Sequence, residues 1–135
     1  MARARLMKKE KSFIDELAEK GGRPLYEQTP AAARQVLADV QSGGKADAAD
    51  TVAERTEIET VNGRKMTVEI VRPKEAKGAL PVVFYIHGGG WVMGDENTHD
   101  RLIRELAVGA NAAVVFPVYE PAPEARYPEQ LNMMF

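Results

Sequence analysis

The sequence predicts an α/β fold with N-terminal helices in front of a mixed, mainly parallel sheet, and three observations carry that prediction. Helical periodicity fills the first forty-odd residues. A hairpin signal follows, and two continuous apolar runs, Val82–Ile86 and Ala112–Phe116, then flank an amphipathic stretch. Strand, helix and strand joined by short connections make a βαβ unit, whose two strands lie parallel through a right-handed crossover. The 135 residues suit a single domain with a buried core. They divide into residues 1–50, helices and a linker, and residues 51–135, the sheet-bearing part.

Taken in order, Leu6, Phe13, Ile14 and Leu17 share one face of a first helix that Gly21-Gly22 stops. Thr29 is an N-cap with Pro30 at the first helical position, and Ala32, Val36, Leu37 and Val40 form the stripe of a second helix ended by Ser42-Gly43-Gly44. Both stripes are narrow, so these helices are expected to cap something else. The basic run Lys8, Lys9 and Lys11 is interleaved with acids and reads as a solvated helix face. Residues 45–53 are small and polar and read as a linker.

The period then shortens to two. Arg55–Val61 and Arg64–Val71 alternate around Asn62-Gly63, the signature of a two-residue hairpin turn, with Met66, Val68 and Ile70 on one face. The run Val82–Ile86 does not alternate, which predicts a strand buried on both faces. The helix after it is expected to be capped by Asn97 or Thr98, to turn Leu102, Ile103, Leu106 and Ala110 inward, and to end near Gly109.

Composition excludes several classes. Eighteen basic against twenty acidic residues leave a net charge of −2, which offers no electrostatic footprint for nucleic acid. The absence of cysteine removes disulfides, thiolate metal sites and a cysteine nucleophile, and fits a reducing compartment. No run approaches the roughly 18 apolar residues of a membrane span. The basic N-terminus lacks the apolar stretch of a signal peptide, so the expected location is cytoplasmic. His87 and His99 form no metal motif with nearby carboxylates, and the glycine triplet lacks the lysine and spacing of a phosphate loop, so no metal and no cofactor is expected.

The chemistry concentrates in His87-Gly88-Gly89-Gly90-Trp91, where the first apolar strand ends. Ligands of open α/β sheets gather outside the carboxyl ends of the strands. Three glycines there leave backbone N–H groups open to close approach, and convergent N–H donors are what an acyl-transfer intermediate needs for its oxyanion. The plainer alternative is a tight strand-to-helix turn.

This motif, with Gly94-Asp95 and Thr98-His99-Asp100 after it, resembles the α/β-hydrolase esterases of the hormone-sensitive lipase family. Val114-Val115-Phe116, Tyr119, Pro123-Glu124 and Tyr127-Pro128 resemble the same family's next strand and loop, and Tyr26–Gly43 is similar to its cap helices. The resemblance implies hydrolysis of small carboxylic esters through a serine acyl-enzyme. It also implies oxyanion N–H groups from Gly89 and Gly90, a turn shaped by Gly88, and a loop-propping role for His87, which is not the catalytic base. Trp91 either lines the acyl side of the pocket or packs as a core aromatic. Asp95, His99 and Asp100 organise the loop and helix start. Val118 stands where the family commonly has an acidic residue.

In this fold the nucleophile lies in G-x-S-x-G after a later strand, followed by the acid and the histidine. The serines here are Ser12 and Ser42, neither in such an elbow, so no Ser-His-Asp triad can be assembled from these residues. The expectation is a front part of the fold, truncated before the nucleophile elbow, that supplies the oxyanion loop and is inactive alone. Its strand ending at Ile86 would be left as an apolar edge, open to a complementary C-terminal half or to self-association. The alternative of another class is a non-catalytic small-molecule-binding or interaction remnant of the fold.

Overall fold

The computed structural model describes residues 7–19, 21–42 and 50–135. Leu6, Gly43-Gly44 and most of the expected linker lie outside them.

Helix α1 (Lys8–Glu19) and helix α2 (Pro30–Gln41) form where helical spacing places them, with a short 3-10 turn, Leu25–Glu27, between. Thr29 caps α2 through its side-chain oxygen, which accepts from the Ala32 N–H at 3.3 Å. The buried face of α2 is not the expected one. Ala33 is buried and Arg34, Leu37 and Ala38 are half-buried, whereas Ala32, Val36 and Val40 are exposed. Arg34 on this face reaches the carbonyls of Val92 and Ala122. Ile14 of α1 is exposed, and the side chains of Phe13 and Leu17 lie outside the described ones.

Strand β1 (Thr51–Glu59) begins inside the segment expected to be linker and pairs antiparallel along its whole length with β2 (Lys65–Pro73). The connection is a three-residue loop, Val61-Asn62-Gly63, and not a two-residue turn. Gly63 N–H donates to the Thr60 carbonyl at 2.9 Å, and Thr60 N–H donates to the Arg64 carbonyl at 2.8 Å. A two-residue type I′ turn needs positive φ at both central positions, and here Gly63 takes it (φ 69°) while Asn62 does not.

Strand β3 (Val82–Phe84), helix α3 (Glu96–Ala110) and β4 (Ala113–Pro117) make the βαβ unit. A short helix α4 (Glu129–Met133) follows. The four strands are ordered β1-β2-β4-β3, and the parallel pairing is confined to β3 against β4; the other two pairings are antiparallel. One sheet face meets α3 through a core of Val71, Ile103, Ala107, Val114 and Phe116, with Val83, Tyr85 and Leu106 packed around it.

Two expectations fail here. In β3, Val83 and Tyr85 face the core while Val82, Phe84 and Ile86 are exposed on the opposite face. A run buried on both faces needs a cover on each side, and α3 covers one. Helix α3 starts earlier than expected. Asp95 is its N-cap and exchanges a reciprocal pair of bonds with Thr98 (2.8 and 2.9 Å). Its inward residues are Ile103, Leu106 and Ala107, with Leu102 and Ala110 exposed. It ends at Ala110, next to Gly109 as expected, with Asn111 in the left-handed region (φ 47°) as its C-cap.

Candidate functional site: the glycine loop after strand β3

The loop from His87 to Gly94 leaves the carboxyl end of β3 and runs into the cap of α3. Its path depends on left-handed backbone. Gly89, Gly90 and Gly94 have φ of 128°, 64° and 95°, and Trp91, which is not glycine, has φ of 63°. A side chain at Gly89 has no room, since a Cβ there would lie 2.0 Å from the Met93 carbonyl oxygen. At Gly90 nothing stands within 4 Å of an added Cβ. The two glycines are therefore required for different reasons, steric at Gly89 and conformational at Gly90.

Five of the loop's carbonyls are held. The Gly88 carbonyl lies 2.7 Å from His87 Nδ1, which must carry the ring proton to donate to it. The Tyr119 hydroxyl donates to the His87 carbonyl at 2.9 Å. Gly89's carbonyl accepts from Met93 and Val92 N–H (3.0 and 3.3 Å), and Trp91's accepts from Ala122 N–H at 2.7 Å. Val92's accepts from Arg34 Nε at 2.8 Å. The N–H groups behave oppositely. Among the described residues, the backbone N–H groups of Gly88, Gly89, Gly90 and Trp91 meet no hydrogen-bond acceptor. Gly88, Gly90 and Trp91 are exposed and Gly89 is half-buried, so these donors sit at the surface.

His87 is buried in an aromatic stack, 4.5 Å from the Tyr119 ring and 5.2 Å from Phe116, centroid to centroid, and nearly parallel to both. Burial pushes its pKa down, against the Gly88 carbonyl that favours the protonated ring. A neutral, stacked histidine bonded to its neighbour's carbonyl holds the loop. His99 lies 5.0 Å from the His87 ring, with Nδ1 near Thr98 Oγ1 and the Asp95 carbonyl. Asp100 pairs with Arg104 on α3 at 2.7 Å. Trp91 packs obliquely on Tyr119 at 5.6 Å and keeps 42% of its surface exposed, so it is not a core residue. A cavity of about 210 Å³ is bounded by Arg34, His87, Gly94, Asp95, Phe116 and Tyr119. It is walled by the residues that support the loop, and the glycine triplet does not line it.

Two supports were given no role in the site by the sequence. Tyr119 is buried and bridges β4 to the loop. Arg34 reaches the loop from α2, and the signal available for it was its standing as the lone cation of that helix. Among the described residues no three histidine, aspartate or glutamate side chains converge as metal ligands, and no helix is long and apolar enough to cross a membrane.

A sequence family described as "alpha/beta hydrolase fold" matches residues 83–135. The structure superposes on that of a thermostable esterase from Pseudomonas putida ECU1011 with a TM-score of 0.90 and 38% identity, covering 99% of this chain and 42% of that one. The chain carries the α/β-hydrolase fold. It is also 46% identical over 65 residues to carboxylesterase NlhH of Mycobacterium tuberculosis (48% of this chain, 20% of that one). Against protein R526 of Acanthamoeba polyphaga mimivirus it is 40% identical over 121 residues, 90% of this chain and 33% of R526. The chain thus spans between a fifth and under half of these α/β-hydrolase-fold relatives.

Proposed function

We propose that these residues are the oxyanion-hole part of a carboxylic-ester hydrolase of the hormone-sensitive lipase type, acting on small esters through a serine acyl-enzyme. The observation that carries the reading is the row of uncommitted N–H groups at Gly88–Trp91, presented by a loop in which the carbonyls of His87, Gly88, Gly89, Trp91 and Val92 are occupied. Donors fixed before the reaction stabilise a developing oxyanion without reorganising, and one such donor is worth about 3–4 kcal/mol in the transition state. In this reading Gly89 and Gly90 give the N–H groups, Gly88 shapes the turn, His87 braces it, and Trp91 borders the acyl side. Residues 1–50 act as cap and residues 51–135 as core, in a cytoplasmic setting.

In this reading a complementary C-terminal polypeptide supplies the nucleophile, acid and base. That polypeptide also covers the exposed Val82, Phe84 and Ile86 face and pairs with the free edge of β3. Alone, these residues turn over no ester. The test is hydrolysis of p-nitrophenyl acetate and butyrate by the 135-residue chain and by the longest natural polypeptide that contains it, with fluorophosphonate labelling of both. Turnover and a labelled serine in the longer polypeptide alone are expected. Labelling of Ser12 or Ser42, or equal turnover by both, would overturn the reading. So would ligand binding by the longer polypeptide without a reactive serine.

A further inference from the structure

We propose that Arg34 is the positioning residue of the glycine loop, a brace from α2 that sets where its N–H groups point. This rests on the reading that those N–H groups receive an oxyanion. Arg34 is the described α2 side chain that bonds to the loops, and it spends four N–H bonds on them. Nε donates to the Val92 carbonyl at 2.8 Å, and one terminal nitrogen donates to the Ala122 carbonyl at 2.7 Å. The two terminal nitrogens also grip Glu124 Oε1 and Oε2 at 2.9 and 2.6 Å, a fork-on-fork pair. Ala122 N–H in turn donates to the Trp91 carbonyl at 2.7 Å. One planar cation therefore ties the glycine loop, the loop after β4 and the N-terminal helix into a single junction.

A lysine cannot reproduce this, because an ammonium lacks the planar fork that meets two carbonyls and a carboxylate at once. The Arg34 pair holds the Glu124 carboxyl down at about 2, so the carboxylate half of the fork stays charged throughout the working range of pH. Trp91 supplies a reason for the brace. Its left-handed backbone (φ 63°) is a conformation that residues other than glycine avoid, and the carbonyls of Trp91 and Val92 are where the junction takes hold.

The test measures kcat per fluorophosphonate-titrated serine and KM separately in the longest natural polypeptide, for Arg34→Met, Arg34→Lys and Glu124→Gln. Gln35→Ala serves as control, since among the described residues that amide meets Asp39 of its own helix and no loop. Hydrogen exchange of the segment 87–95 is followed against that of β4. Arg34→Met is expected to lower kcat per active site by roughly 10- to 100-fold, as displacement of a reacting group by about 1 Å does. KM should stay within about two-fold, and exchange should rise in 87–95 but not in β4. Arg34→Lys recovers little and Glu124→Gln falls between. An unchanged kcat per titrated serine would overturn the proposal, leaving Arg34 a stability element that changes only the active fraction. If Arg34→Met does not fold, Glu124→Gln decides on the same readouts. If the wild type hydrolyses no ester, the functional reading fails separately, and exchange alone decides: an unmoved 87–95 segment in Arg34→Met overturns the brace.

Discussion

Replacing Gly89 with alanine tests the site at its tightest point. The added Cβ would lie 2.0 Å from the Met93 carbonyl oxygen, 2.7 Å from its carbonyl carbon and 3.4 Å from its Cα. The opposing atoms are backbone, so a side-chain rotation cannot relieve the clash. Opening the nearest contact to 3.0 Å, the least that real Cβ atoms show, requires a shift of roughly 1 Å between residues 89 and 93. That shift pulls apart the Met93 N–H to Gly89 carbonyl bond, now 3.0 Å. Alanine must also hold φ at 128°, beyond the left-handed well open to L residues. Losing one oxyanion donor costs about 10²- to 10³-fold in kcat, and this is the expected effect in the ester-hydrolysing polypeptide. Gly90→Ala is the internal comparison, because an added Cβ there meets nothing within 4 Å. Its φ of 64° suits the left-handed well at a cost of about 1–2 kcal/mol in stability. The assay is kcat per titrated serine for both variants, with amide exchange at Met93. Equal kcat in Gly89→Ala and wild type, with Met93 still protected, would refute the steric reasoning and leave the triplet a plain turn.

Removing the hydroxyl in Tyr119→Phe leaves the His87 carbonyl unsatisfied beside a buried ring. The expected loss is about 1–3 kcal/mol by urea unfolding, with faster exchange in 87–95; unchanged stability would mean the bond contributes nothing. Glu69→Gln is expected to stabilise at neutral pH by about 1 kcal/mol or less. Partial burial, then Glu96 and Asp100, push the Glu69 carboxyl up against the opposing pull of Arg104 and Arg55. A raised carboxyl holds its proton in the folded state where the unfolded chain has released it, so the wild-type penalty grows as pH rises through that window. The variant's gain in Tm should accordingly shrink as pH falls below the carboxylate range, and a gain independent of pH would exclude this cause.

The elements whose formation depends on neighbours in sequence were legible. The Thr29-Pro30 start of α2, the β1–β2 hairpin and the β3–α3–β4 crossover follow from capping, alternation and apolar runs, and each stands within a few residues of its expected place. What failed depended on partners far along the chain. On the buried side of α2, Arg34 meets residues 58 to 90 positions away, so the stripe of Ala32, Val36, Leu37 and Val40, of which Leu37 alone is partly covered, could not disclose it. The exposed side of β3 depends on what lies across the sheet, and an apolar run reports only the capacity for cover. His87 to Gly90 stood out because glycine tolerates backbone that other residues resist. Trp91 has the same left-handed backbone without that signature, which is why its strain was invisible.

The loop divides its backbone polarity. On its carbonyl side, His87, Gly88, Gly89, Trp91 and Val92 accept from a hydroxyl, an imidazole, backbone N–H groups and a guanidinium. On its amide side, residues 88–91 have no acceptor among the described residues. A tight turn needs only its own internal bonds, which the two donations to Gly89 already provide. The four donors from outside the loop, Tyr119, Ala122, Gln130 and Arg34, are surplus to a turn and all act on carbonyls. The carbonyls of His87, Gly88 and Gly89 belong to the peptides whose N–H groups are those of Gly88, Gly89 and Gly90, so these three dipoles are fixed before charge appears in front of them. Fixed dipoles stabilise a forming anion without the reorganisation that mobile ones require. The supports therefore make sense as the counterpart of the free N–H row, and the row as the reason for so many supports.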